Sequence, residues 1–273
     1  MGQLKEYKPG YYLWPYVPSL VTAVFFINLF VIVTAAQIHK LYKTRQWFCL
    51  PFVIGGLMEV VGFVGRAIAS EETDQLLPCI IQSIFLLLPP ILFAASIYMV
   101  LARIIRAARG EQYSLISFSI ITKTFVWSDA VSFLIQSTGA GMMATGTEMA
   151  SAGRKTVIFG LFVQIIMFSL FGAVAIVFYV RYKRLSVHAV ATPAQRWEQT
   201  LKMLYLVSVL IMVRSIFRVF EFVLGEDGYP MQHEWTLYVF DAALMLFVMT
   251  IYWHWYPENL ERGDRLSLVD MES

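Results

Sequence analysis

Long apolar runs recur seven times along the chain, over about 17–38, 48–69, 77–102, 118–142, 156–180, 201–224 and 235–256. A helix rises about 1.5 Å per residue, so each run is long enough to cross roughly 30 Å of hydrocarbon. The pattern predicts an all-α, polytopic membrane protein: a single seven-transmembrane-helix bundle over 17–256. An extracellular N-terminus, 1–16, precedes it and a cytoplasmic tail, 257–273, follows. Only 15% of the 273 residues are charged and mean hydropathy is +0.64. A soluble domain carries about 25% charged residues, so no sizeable soluble domain is expected.

The connecting segments set the orientation. Lys40, Lys43 and Arg45 fall in loop one, Arg103, Arg106 and Arg109 in loop three, and Arg262 and Arg265 in the tail. Loop five adds Arg181, Lys183, Arg184, Arg196 and Lys202. The opposite side holds only Lys5, Lys8, Arg154 and Lys155. Basic residues favour the cytoplasm, which puts the N-terminus outside and the C-terminus inside. Loops two and six are acidic, with Glu71, Glu72 and Asp74, then Glu226, Asp227 and Glu234. Thr192-Pro193 reads as a cap with Pro in the first turn, opening a short interfacial helix before the sixth span. The aromatic, proline-broken N-terminal stretch is not a secretory signal. Cys49 and Cys79 fall at opposite membrane faces, so two free thiols are expected.

Charges inside the spans carry the functional information. Arg66, Lys123, Arg214 and Arg218 are balanced by Glu59, Asp129, Glu221 and Asp241. Each such charge costs roughly 2.5–3.5 kcal/mol at the bilayer centre, so it must be paired or used. Glu59 and Arg66 share a helix face, as do Asp129 and Gln136; Arg214, Arg218 and Glu221 share another. Gln82, Gln136 and Gln164 fall in the outer halves of their spans. A polar cavity in the outer half of the bundle is therefore expected, with a packing lattice of ion pairs as the competing reading. Pro89-Pro90 should kink the third span and free backbone carbonyls. Gly55-Gly56 and Gly139-Ala140-Gly141 allow close helix approach.

By depth, Glu59 and Asp129 fall within roughly 2 Å of their span centres and Arg214 about 2 Å outward. Arg66, Arg218, Glu221 and Asp241 lie further out, where two acids and two arginines balance. These four, with His233 and Glu234, make the expected ion-pair network. The central level keeps one carboxylate in excess. That excess must hold a proton, reach Lys123 or await a cation. Glu59 and Asp129 are thus the candidate head-group ligands, with Arg214 between them.

Glu59-x-x-Gly62-Phe63-x-x-Arg66 resembles the E-x-x-G-[YF]-x-x-R of the fungal RTA-like, or lipid-translocating exporter, family. Gln82 through Pro90, Ala94-Ala95, Tyr98 and Arg103-Ile104-Ile105 are similar too. So are Asp129, Gln136-x-x-Gly139-x-Gly141, Gln164, Arg214-x-x-x-Arg218-x-x-Glu221, His233-Glu234, Tyr238, Asp241 and Pro257. Phe63 stands where Tyr is common, and Pro89 where Ala is usual. The resemblance implies a seven-span fungal protein of the plasma membrane. It also implies export or flipping of sphingoid long-chain bases, resistance to amphiphilic toxicants or, for some members, porphyrin movement. It adds Tyr98, Gln82, Gln136 and Gln164 to Glu59, Asp129 and Arg214 as ligand-binding candidates.

Two functions fit: a transporter or flippase for an amphiphile, and a seven-helix sensor of a lipid or small molecule. An enzyme does not. His39, His188 and His254 fall at the cytoplasmic end and His233 at the outer one, so they cannot converge on a metal. No Gly-rich phosphate loop with its Lys-Ser/Thr is present. No cofactor and no nucleic-acid partner are expected; the partners are membrane lipids or amphiphilic small molecules.

Overall fold

In the computed structural model the described residues are 7, 14, 16–71, 73–107, 118–144, 149–185, 195–225 and 228–256. Every regular element among them is helical. α1 is Leu20–Thr44, α2 Leu50–Ala69, α3 Leu76–Leu87, α4 Pro89–Ala107 and α5 Phe118–Ala144. α6 is Met149–Leu185, α7 Gln195–Leu224 and α8 the single turn Tyr229–Gln232. α9, Glu234–Leu237, leads through a π-helical segment, Tyr238–Ala243, into α10, Leu244–His254. Six of the seven expected spans are helices long and apolar enough to cross a membrane. The remaining one, α5, is a helix of 27 residues, about 40 Å long.

Local sequence explains the ends. Ser19 caps α1, its hydroxyl accepting the Thr22 N–H at 3.4 Å. Pro51 occupies the first turn of α2, where no helical N–H is missed. α7 stops at Gly225, whose φ of 73° is open to glycine and costly for other residues. The third span breaks at Leu88: Pro89 and Pro90 have no N–H for the carbonyls of Phe85 and Leu86, so α3 and α4 are separate helices. The Thr192-Pro193 cap and the tail lie outside the described residues. α7 starts at Gln195 and runs without interruption into the sixth span.

The helices close a ring in the order α1, α2, α3–α4, α5, α6, α7 and α10, with α10 returning to α1. α4 also reaches α7 and α2, and 72% of the third span's most apolar window is buried, against 22% for α1. The proline-broken span is therefore the centre of the bundle. α5 and α6 cross most closely at two glycines: a Cβ on Gly139 would stand 2.6 Å from the Gly153 carbonyl, and the reverse. Cys49 is buried and accepts the Tyr252 hydroxyl proton at 3.0 Å. Neither cysteine is in a disulfide.

Candidate functional site

One polar cluster is built on Arg66, which is fully buried at the last turn of α2. Its Nη2 donates to Glu234 Oε1 at 2.7 Å and to the Tyr16 hydroxyl at 3.1 Å. Nε donates to the Tyr238 hydroxyl at 3.0 Å and Nη1 to Gln82 Oε1 at 3.3 Å. The rings of Trp14, Tyr16 and Tyr238 stand 5.2–6.0 Å from the guanidinium carbon. That distance suits cation–π attraction. Glu234 also accepts the Ser19 N–H at 2.8 Å. The segment before α1 is thus tied across the C-terminal end of α2 and the N-terminal end of α9. Burial pushes the Tyr16 phenol above its ordinary value, against the pull of the adjacent Arg66.

Deeper in, Arg214 of α7 bonds Asp241 through Nε and the Leu86 carbonyl through Nη2, the latter at 2.7 Å. That carbonyl is the one Pro90 leaves without a helical donor. Asp241 sits in the π-helical segment, and such bulges are frequent at functional sites. Arg214 therefore fastens two irregular stretches, the break in the third span and the bulge in the last. Glu59, fully buried on α2, lies within electrostatic range of both Asp241 and Arg214. Neither of its oxygens has a hydrogen-bond partner.

Asp129 lies elsewhere, on α5. Its Oδ2 accepts the Tyr98 hydroxyl proton at 2.7 Å, and Oδ1 has no partner. Tyr98 is itself buried against Phe125, Phe168 and Phe171. Two turns further along α5 from Asp129, Gln136 donates to Gln164 at 2.9 Å.

The sequence-level grouping is thus redistributed. Gln82 joins Arg66, Gln136 joins Gln164, and Tyr98 joins Asp129. Arg214 pairs with Asp241 rather than standing between Glu59 and Asp129. Arg218 pairs with Glu221, three residues on in the same helix, at 2.7 Å. His233 takes no part in an ion pair among the described residues; its ring bonds the Tyr229 carbonyl and stacks on the Tyr229 ring at 3.8 Å. The turn of α8 folds it back onto its own loop. Trp14, Tyr16, Ser19 and the Leu86 carbonyl went unrecognised from sequence. Only the last left a signal, a proline four residues on. Among the described residues, no group of three or more His, Cys, Asp or Glu could hold a metal.

The chain has relatives among known proteins. The family described as RTA1 like protein matches residues 52–264, from α2 through α10. The chain belongs to the RTA1-like family. It is 34% identical to Protoporphyrin uptake protein 1 of Saccharomyces cerevisiae, over 88% of this chain and 90% of that one. Protein RTA1 of the same organism is 33% identical over 90% of this chain and 84% of its own. The Sphingoid long-chain base transporter RSB1 is 24% identical over 92% of this chain and 75% of its own. No solved structure matches. As an RTA1-like protein, this is a multi-pass helical membrane protein, and two of these relatives are named as an uptake protein and a transporter.

Proposed function

We propose that this protein moves a cationic amphiphile of the sphingoid long-chain base class across the plasma membrane, with Glu59 and Asp129 receiving the ammonium head group. One observation carries the reading. Four carboxylate oxygens, both of Glu59, Oδ1 of Asp129 and Oδ2 of Asp241, are buried among the described residues without a hydrogen-bond partner, and of these three acids only Asp241 has an ion-pair partner there. The local arginine, Arg214, is already committed to Asp241 and a carbonyl. An ammonium group supplies the missing donors and charge at either acid, each in turn. The two acids stand on α2 and α5, both of which pack against α4. The proline break in the third span and the bulge in the last supply places for helix halves to move. Interrupted helices are a recurrent means of building transporter sites. A relative named as a sphingoid long-chain base transporter supports the same substrate class.

The N-terminus lies outside and the tail in the cytoplasm in this reading, from the distribution of basic residues. Glu59→Gln and Asp129→Asn keep side-chain shape and remove charge. Both variants should reach the cell surface at normal levels yet lower tolerance to long-chain bases. Normal tolerance in both would return the two carboxylates to a packing role and remove the site.

A further inference from the structure

Lys123 is a cation on α5, the helix of the fourth expected span, that nothing in the described bundle neutralises. It is exposed, and no described residue forms an ion pair or hydrogen bond with it. It stands at one end of a lateral groove of about 440 Å³ between α5 and α6. Lys123, Trp127 and Val131 follow at four-residue intervals and so form one stripe along α5. Thr124 and Ser128 form the adjacent stripe, and Val163 and Met167, also four apart, give the α6 wall. The groove looks outward: Trp127 is 71% and Val131 47% exposed.

We propose that this groove binds an anionic phospholipid from the leaflet that meets the N-terminal end of α5. The phosphate sits on Lys123 Nζ with the hydroxyls of Thr124 and Ser128, and an acyl chain lies along Val131, Val163 and Met167. Charge selects the occupant. An unpaired ammonium beside lipid needs an anion, and lysine binds phosphate as a point charge. Its long stem lets the charge reach the head-group level while the methylenes stay in hydrocarbon. Trp127 lies one turn from it, the residue type that anchors at that interface. From Lys123 to Val131 the groove runs about 12 Å along the helix, so one end meets a head group while the other meets only chain. Its volume is within the range of pockets that hold drug-sized ligands, room for a head group and part of one chain, the rest of the lipid staying in the bilayer. The same lysine repels an ammonium head group, so this site is separate from Glu59 and Asp129.

The full-length protein, purified into nanodiscs of phosphatidylcholine doped with phosphatidylserine, tests it by native mass spectrometry. The wild-type chain should retain phosphatidylserine over phosphatidylcholine by about fivefold, the effect of one lysine near an anionic surface. Lys123→Gln should abolish the preference. Val131→Trp fills the apolar end without changing charge and should lower retention of both lipids. Its side chain faces lipid, so it keeps the test open should the lysine variant fail to fold. Equal retention of the two lipids by the wild-type chain overturns the proposal, as does a phosphatidylserine preference that survives Lys123→Gln. Preferential retention of a free fatty acid overturns the choice of occupant.

Discussion

Replacing Arg214 with leucine should cost more stability alone than when Asp241 is replaced with it. Arg214 and Asp241 are 3% and 2% exposed, so neither can turn to water. Arg214→Leu leaves the Asp241 carboxylate unpaired within electrostatic range of Glu59, a second acid. Breaking a buried pair in this way costs about 3–5 kcal/mol. It also strips the Leu86 carbonyl of the donor that replaced the missing Pro90 N–H. An orphaned buried acceptor costs about 1–3 kcal/mol more. The single variant should therefore lose roughly 4–8 kcal/mol. Arg214→Leu combined with Asp241→Leu removes the unpaired charge and leaves chiefly the carbonyl, about 1–3 kcal/mol. Thermal melting of the four purified proteins in one detergent gives the cycle, and the double variant should melt above Arg214→Leu. If the two losses simply add, the residues act independently and the pairing is refuted.

Other positions give sharper contrasts. Gly139→Ala should lower the melting temperature, because its Cβ would meet the Gly153 carbonyl at 2.6 Å; forcing apart a tight crossing costs typically about 1–3 kcal/mol. Gly141→Ala is the control: its Cβ would meet nothing within 4 Å, so melting should hold or rise slightly with alanine's better helix propensity. Arg218→Ala should cost about 1.5–3 kcal/mol, the worth of one charged hydrogen bond, because its ion-pair partner is Glu221 on the same helix. Full stability of that variant in a melting assay would mean that the pair is solvated. A reporter fused after Pro257 should be cytoplasmic and one before Tyr11 external; protease protection in intact cells reads both, and the reverse pattern reverses the proposed orientation.

The helices were legible because bilayer thickness imposes a length that hydropathy alone reveals. The break at Leu88 was legible because two prolines remove two donors wherever they stand. Burial of Glu59, Arg66, Asp129 and Gln136 followed from helical spacing, since seven residues return a side chain to the same face. Partners across helices were not legible. Whether Arg214 meets Asp241 or Glu59 depends on the rotation and depth of α7 against α2 and the last span, which no spacing within one run encodes. The π-helical segment adds to this by shifting Asp241 relative to a regular helix, and Tyr238–Ala243 carries no proline or glycine to announce it. The aromatic clasp on Arg66 was hidden for another reason: Trp14 and Tyr16 precede the first span, where no helical spacing ties them to Arg66.

The most direct measurement follows a fluorescent long-chain base across the membrane of sealed liposomes that contain only the purified protein. Wild-type protein should speed its passage without ATP. Glu59→Gln and Asp129→Asn should fall toward the protein-free rate, and an anionic amphiphile of equal chain length should not be moved. Binding of the base without movement would make the protein a sensor, and equal movement of the anionic amphiphile would contradict a carboxylate site for the head group.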